Sequence, residues 1–169
     1  TVAARSRPAA MPPLDFRPAP EPTPRALFDF RPVGYVMGLL VTVLGASMLV
    51  PMALDYVLGN GNAHAFLASA LFSCLVGGLT ALTCRSSVSD TMNLPQAFLM
   101  TFLMWVIMPL FGCLPLMIGG PEATFTDAYF EAVSGITTTG STMFVGLDDF
   151  PAGINLWRGM LNWMGGIGI

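Results

Sequence analysis

The chain alternates long apolar stretches with short polar segments. Three apolar stretches span residues 34–58, 65–84 and 94–118, and a fourth runs from residue 154 to residue 169. A helix rises about 1.5 Å per residue, so a stretch of about 20 residues or more crosses the roughly 30 Å hydrocarbon core of a bilayer. The pattern therefore predicts an all-α membrane protein.

The first two apolar stretches are predicted to form a transmembrane helical hairpin within residues 33–92. A Gly-Asn-Gly-Asn sequence at residues 59–62 joins them, and its composition is typical of a tight turn. Gly38, Gly45 and Ser47 give one side of the first helix small residues. Small residues allow membrane helices to approach each other closely.

Prolines and polar residues within these stretches carry further predictions. Pro51 lies late in the first helix, and Pro109 and Pro115 lie in the third. Because proline removes a backbone hydrogen bond, both helices are expected to bend. Asp55 and Tyr56 are expected at a membrane–water interface, where a charge and an amphipathic ring are tolerated.

The segment at residues 122–134 is too short and too polar to span a membrane. Thr124 or Thr126 is suited to cap a helix start, and Asp127 in the first turn is favoured by the helix dipole. We therefore interpret Asp127 as a helix-start charge rather than an ion ligand. A helix of about nine residues is roughly 13 Å long, less than half the hydrocarbon thickness.

A polar Thr-Thr-Thr-Gly sequence follows this half-length helix, between two apolar segments. Hydrocarbon excludes irregular backbone unless that backbone is buried in protein or lines a watery cavity. The C-terminal end of a helix favours a cation, and backbone carbonyls can replace an ion's water. Thr137, Thr138, Thr139 and Gly140 are therefore predicted to line an ion path, and Gly135 to form the turn out of the helix. The alternative is a Thr- and Gly-rich loop that binds no ion.

Two charged residues adjoin this sequence. Glu131 lies on the half-length helix, and Arg158 lies in the fourth apolar stretch. An arginine within the membrane needs a partner, so one interpretation is that the two residues pair and support the ion path. The other is that Glu131 is a solvated residue at the mouth of the path, where it adds negative potential.

The composition supports a membrane protein with asymmetric charge. The chain is 54% hydrophobic and 10% charged, whereas a soluble domain has about 25% charged residues. Five of its seven Arg and eight of its fourteen Pro lie in residues 1–32, which are predicted to form a disordered tail. By the positive-inside rule, this tail and Arg85 lie on the cytoplasmic side.

The sequence has no motif typical of an enzyme active site. Cys74, Cys84 and Cys113 match no disulfide or metal-binding spacing and are interpreted as packing residues, and His64 as a loop residue. The sequence contains no phosphate-binding loop or nucleophile–base pair, so we expect no enzyme, no cofactor and no nucleic-acid partner. Because the chain lacks an initial Met and stops within an apolar stretch, we expect an N-terminal fragment.

Two motifs in a fixed order carry a family resemblance. Glu-Ala-Val-Ser-Gly-Ile-Thr-Thr-Thr-Gly-Ser at residues 131–141 precedes Leu-Trp-Arg at 156–158 and Trp-Met-Gly-Gly-Ile-Gly-Ile at 163–169. Together they resemble the first pore repeat of the Trk/Ktr superfamily of potassium transporters, and the preceding hairpin resembles the Trk-type membrane subunit. Residues 93–169 would then be the first helix–pore loop–helix (M1–P–M2) repeat, incomplete in its second helix.

The resemblance implies four such repeats in one chain around a pseudo-fourfold pore. Residues 137–140 would be the first of four filter strands, with potassium held at Thr138, Thr139 and Gly140, and Gly140 matches the one glycine that the family keeps per repeat. The simpler filter leaves selectivity over sodium open.

The resemblance also implies a cellular role. It implies potassium uptake across the cell inner membrane, with the N-terminus in the cytoplasm, by a homodimer that works with a cytoplasmic nucleotide-binding regulatory subunit. Potassium is then the transported ion rather than a cofactor.

Two other functions remain open from the residues. One is a small membrane scaffold or assembly protein that conducts nothing. The other is half of a secondary transporter, in which a broken helix binds an anionic substrate. The transporter half predicts a helix N-terminus directed at the membrane midplane. Here the Gly/Thr sequence follows the C-terminal end instead, which favours a cation.

Overall fold

The computed structural model describes residues 30–85, 94–120 and 123–168. The predicted disordered tail, apart from its last residues, and most of the polar loop after the second helix lie outside the described residues. Helix α1 begins at Arg31, so residues 31 and 32 belong to a helix and not to the predicted tail.

Helices make up nearly all of the described secondary structure. They are α1 (Arg31–Ser47), α2 (Leu49–Leu58), α3 (Ala63–Cys84), α4 (Leu94–Gly112), α5 (Leu114–Ile118), α6 (Phe125–Ile136), a short 3-10 helix (Leu147–Asp149) and α7 (Ala152–Ile167). Among the described residues, three helical segments are long and apolar enough to cross a membrane: Arg31–Leu58, Ala63–Cys84 and Leu94–Ile118. The predicted all-α membrane fold is confirmed.

Both predicted bends appear as helix breaks, each ahead of a proline. The first lies at Met48, between α1 and α2, three residues before Pro51. The second lies at Cys113, two residues before Pro115, while Pro109 stays inside α4. A proline lacks the N–H that would bond to the preceding turn, so the helix breaks in that turn.

The predicted hairpin forms through very close packing of α1 on α3. A Cβ added at Gly38 would lie 2.6 Å from the backbone nitrogen of Ala81, and one at Gly45 would lie 2.8 Å from the Cβ of Ser73. Side chains larger than hydrogen would therefore separate the two helices. Ser47 does not face α3, because its hydroxyl donates to the Leu44 carbonyl and contacts the Met164 sulfur on α7.

A buried tryptophan on α7 joins the hairpin to the rest of the bundle. The indole Nε1 of Trp157 donates to the Gly112 carbonyl at 2.9 Å, where the break at Cys113 leaves that carbonyl without its usual helical partner. Its ring packs edge-on against Phe66 of α3, with 6.4 Å between the ring centroids. The first half of α7 is therefore fixed against both α3 and α4.

Candidate functional site

The half-length helix α6 begins with the predicted cap. The Thr124 hydroxyl oxygen accepts a hydrogen bond from the Asp127 N–H at 3.3 Å, and it also lies 2.7 Å from the Asp127 carboxylate. Thr124 rather than Thr126 is thus the cap, and Asp127 is a helix-start charge as predicted. The helix has 12 residues and is about 18 Å long.

Helices α6 and α7 run in the same direction, side by side. Glu131 and Arg158, each the seventh residue of its helix, form an ion pair. Farther along, Gly135 meets Leu161, and the Ile136 carbonyl lies against Gly165. Gly165 is thirteen residues beyond the first residue of α7. The end of α6 therefore lies about 20 Å along α7, measured from the first residue of α7.

The predicted role of Gly135 in the turn is wrong. Helix α6 continues through Gly135 to Ile136, and the turn begins at Thr137. A Cβ at Gly135 would lie 2.8 Å from the Cβ of Leu161. Glycine is needed here because α6 and α7 approach each other closely, and a small residue in a helix does not by itself indicate a turn.

The Thr-Thr-Thr-Gly segment folds back over the end of α6. The N–H of Thr138 donates to the Gly135 carbonyl at 2.8 Å, and those of Thr139 and Gly140 donate to the Ser134 carbonyl at 2.9 and 3.3 Å. In a planar trans peptide, the carbonyl of one residue points opposite to the N–H of the next. The carbonyls of residues 137–139 therefore point away from α6.

This turn holds two residues in left-handed backbone conformations. The φ angles are +57° at Thr138 and +74° at Gly140. Glycine adopts such angles freely, whereas a threonine there costs on the order of 1–2 kcal/mol. All four residues of the segment are exposed, although the α6 residues just before them are buried. A strained, solvent-facing backbone of this kind is typical of functional sites.

Hydroxyl groups order the segment further. The Thr137 hydroxyl donates to the Val133 carbonyl at 2.8 Å and lies 2.8 Å from the Thr139 hydroxyl. The Ser134 hydroxyl donates to the Ser141 carbonyl at 2.6 Å. Ser134 thus binds the returning chain with its carbonyl and its side chain, a role that the sequence did not reveal.

Glu131 connects three elements through one carboxylate. Its Oε1 accepts from the Arg158 Nε at 2.5 Å, and its Oε2 accepts from the Met143 N–H at 3.2 Å. Its side chain is 3% exposed, so the interpretation of Glu131 as a solvated mouth residue is wrong. The pairing of Glu131 with Arg158 is confirmed, and the pair also fixes the irregular segment that returns from the turn.

Asp55, near the end of α2, has buried partners that the sequence did not reveal. Asp55 is fully buried, whereas the neighbouring Tyr56 is 79% exposed. Its carboxylate accepts from the Gly153 N–H at 2.7 Å and from the side-chain amides of Asn60 and Asn62 at 3.2 and 3.4 Å. The signal in the sequence was an acidic residue within an apolar stretch, which marks a candidate functional position by default.

The cysteines and the histidine lie away from the turn. Cys113 is buried at the break between α4 and α5, and Cys74 and Cys84 are partly buried on α3, all three as free thiols. His64 is exposed, in the first turn of α3 rather than in the loop, and its ring lies 2.7 Å from the Gly61 carbonyl. In the described ranges, no three His, Cys, Asp or Glu side chains are grouped to hold a metal ion.

The fold and the site together define a helical membrane protein in which the short helix α6 is followed by a turn and an irregular segment that returns alongside it. The family described as "TrkH: Cation transport protein" matches residues 62–169. The chain belongs to this family of cation transport proteins, which are transporters and not enzymes.

Two potassium uptake proteins are similar in sequence to this chain. The Trk system potassium uptake protein TrkI of Halomonas elongata is 40% identical over 147 residues, covering 83% of this chain and 28% of that protein. The Trk system potassium uptake protein TrkH of Escherichia coli K12 is 34% identical over 141 residues, covering 83% of this chain and 29% of that protein.

A solved structure shares the fold. The crystal structure of the potassium transporter TrkH from Vibrio parahaemolyticus superimposes with a TM-score of 0.75 at 31% identity, covering 83% of this chain and 30% of that one. The chain therefore spans under a third of the length of these relatives.

Proposed function

We propose that this chain is the N-terminal part of a potassium-uptake protein of the cell inner membrane, and that it supplies one of four re-entrant selectivity-filter loops. The residues proposed to face the ion are Thr137, Thr138, Thr139 and Gly140. Glu131 and Arg158 support them from behind, and Gly135 lets α7 approach α6 at the same depth.

The observation that carries the proposal is the direction of three backbone carbonyls. The N–H groups of Thr138, Thr139 and Gly140 are all bonded to the end of α6. The carbonyls of residues 137–139 are therefore presented on the opposite, exposed side of the turn. Rings of backbone carbonyls are the groups that replace the water of a potassium ion in a filter.

The electrostatics of α6 favour the same ligand. The C-terminal end of a helix carries about half a negative charge, and the turn lies directly against it. An anion at this position would meet that negative end and the outward-facing carbonyl oxygens. These features favour a cation over the anionic substrate of a broken-helix transporter.

One loop cannot surround an ion, so the proposal requires further loops in addition to the one in this chain. The exposed side of residues 137–140 is the side that the other filter strands would complete. The chain's coverage of under a third of its relatives leaves room for three further repeats. The choice of potassium as the transported ion is supported by those relatives, which are named as potassium uptake proteins or a potassium transporter.

The assembly and orientation belong to the same proposal. We place the N-terminus in the cytoplasm, because Arg residues cluster before α1 and Arg85 follows α3. We propose a homodimer of the complete subunit with a cytoplasmic nucleotide-binding regulatory subunit, as the family resemblance implies.

Expression of the complete reading frame that encodes this chain tests the function. In bacterial cells that lack their own potassium uptake systems, we expect it to restore growth at low potassium and to take up rubidium as a tracer. A protein that reaches the membrane but supports neither growth nor uptake would contradict the proposal and favour a non-conducting scaffold.

A further inference from the structure

We infer that Asp55 is a positioning residue for the filter loop, acting through the first turn of α7. The inference rests on the proposed function, because the loop that it positions is the proposed filter. We call Asp55 with its three donors, Asn60, Asn62 and the Gly153 N–H, the Asp55 cluster.

The Asp55 cluster joins parts of the chain that are far apart in sequence. Asp55 lies in the last turn of α2 of the hairpin, whereas Gly153 is the second residue of α7, 98 positions later. Asn62 also accepts a hydrogen bond from the Gly120 N–H at 3.1 Å, just beyond the end of α5. One buried network thus fixes the hairpin, the end of α5 and the start of α7 to each other.

The contact between Asp55 and Gly153 leaves no room for a side chain at residue 153. A Cβ at Gly153 would overlap the Asp55 carboxylate. The N–H of Gly153 is one of the first four of α7, which have no partner within the helix. A carboxylate at this end also complements the helix dipole. Asp55 therefore fixes α7 along its own axis through hydrogen bonding, charge and shape.

The cluster is built to hold a carboxylate and not a cation. Asp55 is fully buried and accepts hydrogen bonds from three N–H donors. A bound cation would have to displace these donors, because each of them presents hydrogen to the same oxygens that the cation needs. A buried charge that is satisfied in this way fixes geometry.

The axial position of α7 determines where the filter loop is held. Arg158 lies five residues after Gly153, about 7.5 Å along α7, and pairs with Glu131, which accepts from the Met143 N–H. Farther along, Gly165 lies against the Ile136 carbonyl, immediately before the turn. A shift of α7 would therefore move both supports of the loop together.

Ion preference in the complete transporter tests this inference. The variants are Asp55→Ala and Asp55→Asn, with Asp148→Asn as the matched control, because Asp148 is exposed in the short 3-10 helix before α7. The half-saturating concentrations of potassium and sodium are measured by uptake and normalised to the protein in the membrane. We expect Asp55→Ala to change their ratio by about 2- to 30-fold.

Asp55→Asn should restore part of the ratio, since an amide oxygen still accepts from the Gly153 N–H. Asp148→Asn should keep the wild-type ratio. A merely structural role would lower the amount of protein in the membrane and leave the ratio of the remaining protein unchanged. That result for Asp55→Ala would overturn the inference.

A milder variant keeps the test decisive if Asp55→Ala does not accumulate. Asn60→Ala removes one donor, from an exposed side chain, and should change the ratio by about twofold. An unchanged ratio in Asn60→Ala would then overturn the inference. Wild-type protein that takes up no potassium would contradict the proposed function itself, which separates the two failures.

Discussion

Arg158 of α7 donates to the buried carboxylate of Glu131 on α6, with 2.5 Å between Nε and Oε1. The second oxygen of the same carboxylate accepts from the N–H of Met143, in the irregular segment that returns from the turn. The pair therefore links two helices and the chain beyond the proposed filter through one side chain. Removing Arg158 leaves the Glu131 carboxylate as an uncompensated buried charge, which is strongly destabilising.

A double-mutant cycle on this pair should show strong coupling. Glu131→Gln and Arg158→Gln should each reduce rubidium uptake by the complete transporter, and the double variant should be no worse than the poorer single variant. We expect a coupling energy of about 1–3 kcal/mol. Asp148→Asn, which neutralises an exposed carboxylate, is the control and should keep wild-type uptake. Strictly additive losses would argue against a functional pair.

Gly140 allows a test that separates backbone strain from function. Gly140 and Gly146 both have φ of +74°. A Cβ at Gly140 would meet nothing within 4 Å, and one at Gly146 would make only an ordinary contact with the Asp149 carboxylate at 3.5 Å. Alanine at either position should cost about 1–2 kcal/mol in the free energy of unfolding, because both must hold a left-handed conformation. Only Gly140→Ala should alter the preference for potassium over sodium, since only Gly140 lies in the proposed filter.

The measurements are thermal unfolding of the purified complete protein in detergent and competitive uptake of the two ions in cells. Equal effects of Gly140→Ala and Gly146→Ala on ion preference would remove the reason for assigning the filter to residues 137–140.

Gly165 offers a test of how α7 supports the end of α6. A Cβ at this position would overlap the Ile136 carbonyl, whereas a Cβ at Gly159 on the same helix would meet nothing within 4 Å. Gly165→Ala should lower the free energy of unfolding by about 1–3 kcal/mol, as overpacking does. Gly159→Ala should raise it by about 0.5–1 kcal/mol, since alanine favours the helix. Equal stability of the two variants would contradict the close approach of α6 and α7.

Much of the fold could be predicted from the sequence because bilayer dimensions constrain it. Long apolar stretches separated by polar turns leave few alternatives to spanning helices, and prolines indicate where those helices break. The half-length helix was also predictable, with Thr124 or Thr126 as its cap, because a capping residue close to Asp127 is a local signal. The exposed Thr-Thr-Thr-Gly segment stood out for its polarity between apolar neighbours.

The roles of Asp55 and Gly135 depend on distant partners. Asp55 near the end of an apolar stretch is compatible with an interface or with burial, and the deciding donor, Gly153, lies 98 residues away. The sequence around Gly135 favours a turn, whereas glycine is needed there because Leu161 of another helix lies close to it. Such contacts follow from the packing of α6 on α7, which no local pattern specifies.

The central claim is that the carbonyls of residues 137–139 face a potassium ion. Diffraction from crystals of the complete transporter grown in rubidium, with data collected at the rubidium absorption edge, tests it most directly. We expect an anomalous peak on the pore axis within coordination distance of these carbonyls, and its loss when rubidium is replaced by a large organic cation. Ordered rubidium elsewhere in the pore, with none at residues 137–139, would contradict the account.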